Sequence, residues 1–298
     1  MKKEYLFAGI SILFWGSVAS INALMLGSLS SIHVIFYSSL IAALFLFLLS
    51  LFTGRLKLLS SISPKGFLYL GLLGMLGMFF TNLGLLVGQT YLKAQQALII
   101  NYIWPILVVL FSWPLLGQRM TVQKSAALLM SFLGVAVVAA EGNFESLTQI
   151  SLPGLLACMT GAASYALFAV LNVKVSCDKF LAMLVYHTTA TLASLLMLLA
   201  GGGALPALSA LQWGGMLWRG ILCNGLAYVT WALAMDIGDT AKLSNLAYLT
   251  PFVSLVYIYF LLHEPIAWSS YLGLFLILTG VLIQVIKRRP SSVPNLSR

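Results

Sequence analysis

The 298 residues are 61% hydrophobic and only 8% charged, with a mean hydropathy of +1.01, which excludes a water-soluble fold of this size. The net charge of +9 could mark a nucleic-acid surface, but the basic residues are scattered over short loops and are not gathered on one face. Cys158, Cys177 and Cys223 are odd in number and lack CxxC spacing, so they suggest neither a disulfide framework nor a metal site.

Apolar stretches of roughly 20 residues recur along the chain, each long enough at about 1.5 Å per residue to cross a hydrocarbon core of about 30 Å. Spans are placed near 5–27, 31–53, 66–88, 91–113, 123–140, 152–173, 178–200, 214–235, 240–262 and 267–287. The expected fold class is an all-α integral membrane protein with ten transmembrane helices. The opening "MKKEYLFAGISILFWGSVAS" imitates a signal peptide, with Lys2 and Lys3 before an apolar stretch, but nine further spans favour a retained first helix. With the N-terminus inside, 14 of the 16 basic residues fall on the cytoplasmic side, and Lys93 and Arg219 are the two exceptions. That asymmetry predicts a multi-pass protein of a bacterial-type inner (plasma) membrane with both termini cytoplasmic, residues 288–298 forming a cytoplasmic tail.

In the fourth span, "INYIWPILVVLFSWPLLGQR" at 100–119 places Pro105 inside a run that otherwise reads as a buried helix. A helix-interior proline has no N–H for the carbonyl of Asn101, so a kink is expected there. "LAYLTPFVSLVYIYFLLHEP" at 246–265 lies over the same stretch at an offset of 251 − 105 = 146, pairing Pro105 with Pro251, Tyr102 with Tyr248 and Gly134 with Gly280. Near the start of each half the offset becomes 150, which pairs Trp15, Ala19 and Asn22 with Tyr165, Ala169 and Asn172. The polar stretch 141–151 separates two units, 1–140 and 152–287, and five spans per unit turn the second upside down. Inverted repeats of this kind place a transport site near the midplane, where broken helices offer backbone groups.

On these residues the chain resembles the EamA-type transporters of the drug/metabolite transporter (DMT) superfamily. The likeness rests on the repeat, the prolines of spans four and nine, the turn "HEP" at 263–265 where the family often has Gly-Glu, and the closing "LGLFLILTGVLI". It implies ten helices in two inverted five-helix EamA repeats. "KAQQALI" followed by "INYIWP" is similar to the fourth-helix motif of the bacterial aromatic-amino-acid exporter branch, which implies efflux of aromatic and other neutral amino acids. An arginine that many members carry in span two is absent from "VIFYSSLIAAL".

No Asp, Glu, Lys or Arg falls at the centre of a predicted span, which disfavours strongly ionic cargo and a carboxylate proton relay. Arg219, about one turn inside span eight, is expected to snorkel to the membrane surface. The spans offer aromatic surface and amides. Candidate substrate-binding residues are Trp15, Asn22, Asn82, Asn101, Tyr102, Trp104, Tyr165, Asn172, Tyr186, His187 and Tyr248, with Pro105 and Pro251 as helix kinks; Asn224, Tyr228 and Trp231 offer the same kinds of group. Trp104 follows Asn101 by three residues, hence on one face, where an indole can stack on a ring while an amide and a freed carbonyl take an ammonium. The competing reading of each is packing, since buried aromatics mostly fill cores.

His187 is the one histidine well inside a span and the candidate for proton coupling, against a structural role beside Thr188 and Thr189. Glu264 is expected to cap the helix after Pro265, and "DIGDT", with Asp236 and Asp239, reads as a solvated turn. Neither a Walker A stretch nor a catalytic cluster is present, so no enzyme and no cofactor is implied. The reading is a secondary transporter of small neutral or zwitterionic metabolites in a lipid bilayer, a monomer or weak dimer. Alternatives are an exporter of drugs, nucleosides or organic cations, and, from other classes, a membrane enzyme or a receptor.

Overall fold

The computed structural model describes residues 2–117, 122–139, 151–238, 243 and 246–285. The linker 141–150, the tail 288–298, Asp239 and the side chain of Tyr248 lie outside the described residues. Those described form helices and turns without strands. Among the described residues, seven helices are long and apolar enough to cross a membrane: Lys3–Leu26, Ser31–Phe52, Pro64–Tyr91, Ala94–Leu116, Leu152–Asn172, Lys179–Ala200 and Ala210–Ile237. Shorter apolar helices cover Leu129–Val138, Thr250–Leu262 and Trp268–Gly280. The outer surface exposes large apolar side chains such as Leu48, Leu68, Leu72, Leu196 and Leu199, as a bilayer solvent requires.

Local chemistry sets the helix starts. α1 (Lys3–Leu26) is followed by α2 (Ser31–Phe52), and Ser30 caps α2 by accepting the His33 N–H. Ser63 accepts the Gly66 N–H and Pro64 opens α3 (Pro64–Gly74), a combination suited to a first turn. Ser151 caps α8 (Leu152–Asn172), and Asp178 accepts from Phe180 and Leu181 to cap α9 (Lys179–Ala200), where a carboxylate also meets the positive end of the helix dipole. Ser209 and Gln212 form a capping box at the head of α10 (Ala210–Leu217).

Three long helices are not regular. A π-helical segment, Met75–Phe80, joins α3 to α4 (Thr81–Tyr91), and another, Trp218–Leu226, joins α10 to α11 (Ala227–Ile237). The fourth span is broken outright: α5 (Ala94–Asn101) stops, Tyr102 and Ile103 turn, and α6 (Trp104–Leu116) begins with Pro105 in its first turn. The expected kink around an interior proline is therefore corrected to a new helix start, where the missing N–H is tolerated. The proline inside α6 is Pro114. The ninth span matches, with a 3-10 turn Ala247–Leu249 before α12 (Thr250–Tyr257), which has Pro251 in its first turn and runs into the π segment Ile258–Leu262. There the Ala247 carbonyl accepts from Thr250 N–H, so the acceptor expected to be freed by Pro251 is already taken.

α7 (Val122–Ala139) packs on α13 (Trp268–Val285), α2 on α9, α4 and α6 on α8, and α1 on α11 and α12. Glycine lets two of these pairs touch backbone to backbone: a Cβ at Gly84 would stand 2.6 Å from Gly161 Cα, and one at Gly134 would stand 2.7 Å from the Gly273 carbonyl oxygen. Ahead of α13, Glu264 Oε2 is buried without a hydrogen-bond partner among the described residues, and an amide meets the start of that helix. Gln95, from α5, accepts from Ala267 N (3.1 Å) and Ser270 Oγ (2.8 Å) and donates to the Pro265 carbonyl (3.1 Å). Its amide meets donors and an acceptor together, which an ionised carboxylate cannot.

Candidate functional site

α8, α9 and α11 bring most of the candidate aromatic residues into one connected set. Trp104, the first residue of α6, meets Tyr165 of α8 edge to face with ring centroids 4.8 Å apart. Tyr165 leads to Phe168 at 5.8 Å, and Phe168 to Tyr186 of α9 at 5.4 Å. The Tyr186 hydroxyl donates to Asn172 Oδ1 at 2.7 Å. On the other side Trp15 of α1 packs on Tyr228 (5.0 Å) and Trp231 (5.4 Å) of α11. Tyr186, Asn172, Tyr228 and Trp231 all line a cavity of about 330 Å³, which also touches Cys177 and Lys179. This is the size range of small-molecule sites. The cavity lies where α8 ends, α9 begins and α11 ends. Two ion pairs stand at that end of the molecule, Arg55 with Asp178 and Lys179 with Asp236 at 2.6 Å.

Asn101 ends α5 beside the break, and its side-chain oxygen is buried without a hydrogen-bond partner among the described residues. Tyr102, in the turn, sits beside Thr250 at the start of α12, so the two broken helices meet at their breaks.

Asn22, Asn82 and His187 gather elsewhere, around Arg219. Nine residues inside its helix start (219 − 210 = 9), Arg219 is 1% exposed, which corrects the expectation that it snorkels. Nε donates to Ser38 Oγ of α2 at 3.2 Å, Nη2 to Asn82 Oδ1 of α4 at 2.6 Å, and Nη1 to Asn22 Oδ1 of α1. Asn82 Nδ2 in turn donates to the Met78 carbonyl at 2.6 Å, so its amide is held at both ends. His187 is fully buried next to Arg219, with the backbone of Asn224 beside its ring. A guanidinium inside a bilayer costs about 2.5–3.5 kcal/mol even on the milder scales, and such a residue marks function by default. The statement that the spans carry no central charge is thereby corrected. Arg219 reaches α2 from the π segment of another helix through its bond to Ser38.

Sequence reasoning does not reach Arg219 because hydropathy windows average one charge away and because a basic residue near a span end ordinarily snorkels. The available signal was the company of amides: Asn22 and Asn82 are costly inside a membrane unless something consumes their acceptors. Ser38 was missed for the same reason.

The EamA-like transporter family matches the chain twice, over residues 2–140 and 152–286. The chain is 30% identical over 200 residues to the uncharacterized transporter YvbV of Bacillus subtilis, a match covering 65% of this chain and 64% of YvbV, so it spans a little under two-thirds of that relative's length. It is 30% identical over 164 residues to the aromatic amino acid exporter YddG of Ancylobacter novellus, covering 53% of this chain and 55% of that protein. A protein of known crystal structure, 21% identical, shares the fold with a TM-score of 0.63 over 94% of this chain and 96% of its own. With both parts of the family pattern present and seven helices among the described residues long and apolar enough to cross a membrane, the chain belongs to the EamA-like transporter family of the DMT superfamily.

Proposed function

We propose that this transporter exports aromatic and other neutral amino acids across the inner membrane by alternating access, with the connected aromatic cavity as its substrate path. The observation that carries the proposal is the run of rings from Trp104 through Tyr165 and Phe168 to Tyr186, which lines the cavity together with Tyr228 and Trp231, both packed by Trp15. Offset and edge-to-face contacts of this kind hold an aromatic ring while Asn101 and Asn172 offer polar groups. The likeness to an aromatic amino acid exporter points the same way.

The architecture proposed with it is ten spans in two inverted five-helix repeats, 1–140 and 152–287, joined by the 141–151 linker. Seven long apolar helices and three shorter ones among the described residues support that number. The 146-residue spacing recurs in the irregular elements: it separates Thr81 from Ala227 (227 − 81 = 146), where α4 and α11 leave their π segments, and Trp104 from Thr250 (250 − 104 = 146), where the broken helices restart. The packing exchanges likewise: α1 lies on α11 and α12 as α8 lies on α4 and α6. Units that touch in this crossed manner can rock about a central site.

Purified protein in liposomes loaded with unlabelled phenylalanine should take up labelled phenylalanine and tryptophan by exchange, with and without a pH gradient. His187 is the proposed proton carrier if the gradient drives flux. Uptake of nucleosides or organic cations in place of every amino acid would overturn the reading.

A further inference from the structure

We propose that Arg219 is the anchor for a substrate carboxylate, so that the site selects aromatic monocarboxylates and needs no ammonium group on its cargo. The inference rests on reading the aromatic cavity as the substrate path and assigns its selectivity. A guanidinium has five N–H groups, and three are committed, one each from Nε, Nη1 and Nη2, to Ser38, Asn22 and Asn82. One N–H remains on each terminal nitrogen, the pair that a bidentate carboxylate accepts. All three partners are neutral, and Arg219 takes part in neither ion pair, Arg55–Asp178 or Lys179–Asp236, so within the described residues its charge is uncompensated.

The surrounding unpartnered atoms are mostly donors. Arginine can only donate, so both amides must turn their oxygens to it, which leaves Asn22 Nδ2 pointing elsewhere without a partner. Asn224 Nδ2, one helical turn beyond Arg219, is also buried and unpartnered among the described residues. A cation flanked by the spare amide N–H groups of Asn22 and Asn224 is complementary to an anion and repels a cation. Tyr228, which lines the cavity, lies within electrostatic range of Arg219, which stands behind the cavity wall and not on it. Towards an ammonium group the spans offer amide, hydroxyl and ring groups, and none of the described acidic residues, Glu4, Asp178, Asp236 and Glu264, lies deep in a span. Selection by the carboxylate alone follows.

The test uses the reconstituted wild-type protein and competition against labelled phenylalanine by three ring compounds: hydrocinnamate, which has the carboxylate only; phenethylamine, which has the ammonium only; and phenylalanine amide. Hydrocinnamate should compete within about tenfold of phenylalanine, and the amine and amide about ten- to a hundredfold more weakly. In Arg219→Gln the affinity for phenylalanine and hydrocinnamate should fall by that same factor and the discrimination against the amide should vanish, with Arg219→Lys intermediate. Should the variants not fold, the wild-type competition series decides alone. Equal competition by amine, amide and acid overturns the anchor and leaves the aromatic reading standing. Failure of phenylalanine itself to bind, with other solutes transported, overturns both.

Discussion

His263 holds a left-handed backbone conformation, φ +54°, which its side chain resists. It ends the helix that begins at Thr250 as Gly117, φ +67°, ends α6, and the two are again 146 residues apart (263 − 117 = 146). Glycine enters this region without the clash between Cβ and carbonyl, so His263→Gly should stabilise the protein by about 1 kcal/mol and raise its melting temperature in detergent while leaving transport unchanged. No gain in melting temperature would mean that the imidazole contributes contacts that offset the strain. Trp104→Ala belongs to the same scale with the opposite signature: loss of the Tyr165 contact should weaken phenylalanine binding by roughly three- to tenfold, since a ring pair is worth about 0.5–1.5 kcal/mol, with little fall in abundance. Equal losses of abundance and transport would make Trp104 a packing residue. Residues of this kind were legible in the sequence because aromatic groups and amides stand out against aliphatic spans. Arg219 was not, because its role depends on three partners from three other helices, Asn22, Ser38 and Asn82, that only the fold assembles.

At the scale of elements, hydropathy located the seven long helices to within a few residues, and proline marked where two helices restart. What it could not show is the difference between a bent helix and two helices, since that depends on whether Tyr102 and Ile103 leave the helical path. The π segments were invisible for a related reason. One extra residue per turn changes which side chains face inward without changing composition. Trp218–Leu226 is the case that matters, because it carries both Arg219 and Asn224. Pro105→Ala removes the residue that holds the first turn of α6 and permits α5 and α6 to join as one helix. The variant should express and fold, yet exchange phenylalanine more slowly and bind it more weakly, because Asn101 and Trp104 flank the turn. Affinity and flux measured separately and both at wild-type values would show that the break serves packing. Gly84→Val should act on the fold instead, driving a side chain into Gly161 at the crossing of α4 and α8 and costing about 1–3 kcal/mol, read as a lower melting temperature.

For the whole molecule, the basic-residue asymmetry and the cavity together set an expected state. Arg55, Lys57, Lys65, Lys174 and Lys179 cluster in the loops and helix ends at one end of the described bundle, and the cavity beside Tyr186 reaches Cys177 and Lys179 at that same end. If basic loops face the cytoplasm, the structure is open inward. The native cysteines give a direct measurement. Cys158 and Cys223 are buried, whereas Cys177 is partly exposed in the turn between α8 and α9 and touches the cavity. Burial, reinforced by the neighbouring Asp178 carboxylate, pushes its thiol above the ordinary value, against a smaller lowering by its own backbone. Only the thiolate attacks a maleimide, so labelling of Cys177 should be slow at pH 7 and rise about tenfold per pH unit until the thiol has ionised. A membrane-impermeant maleimide should therefore modify one cysteine per chain in inside-out vesicles, faster at pH 9 than at pH 7, and leave right-side-out vesicles unmodified. Saturating phenylalanine should slow the reaction by occupying the cavity or by shifting the protein toward its outward-open form. Labelling confined to right-side-out vesicles would reverse the orientation, and labelling from neither side would place Cys177 in a closed wall, removing the inward-open assignment.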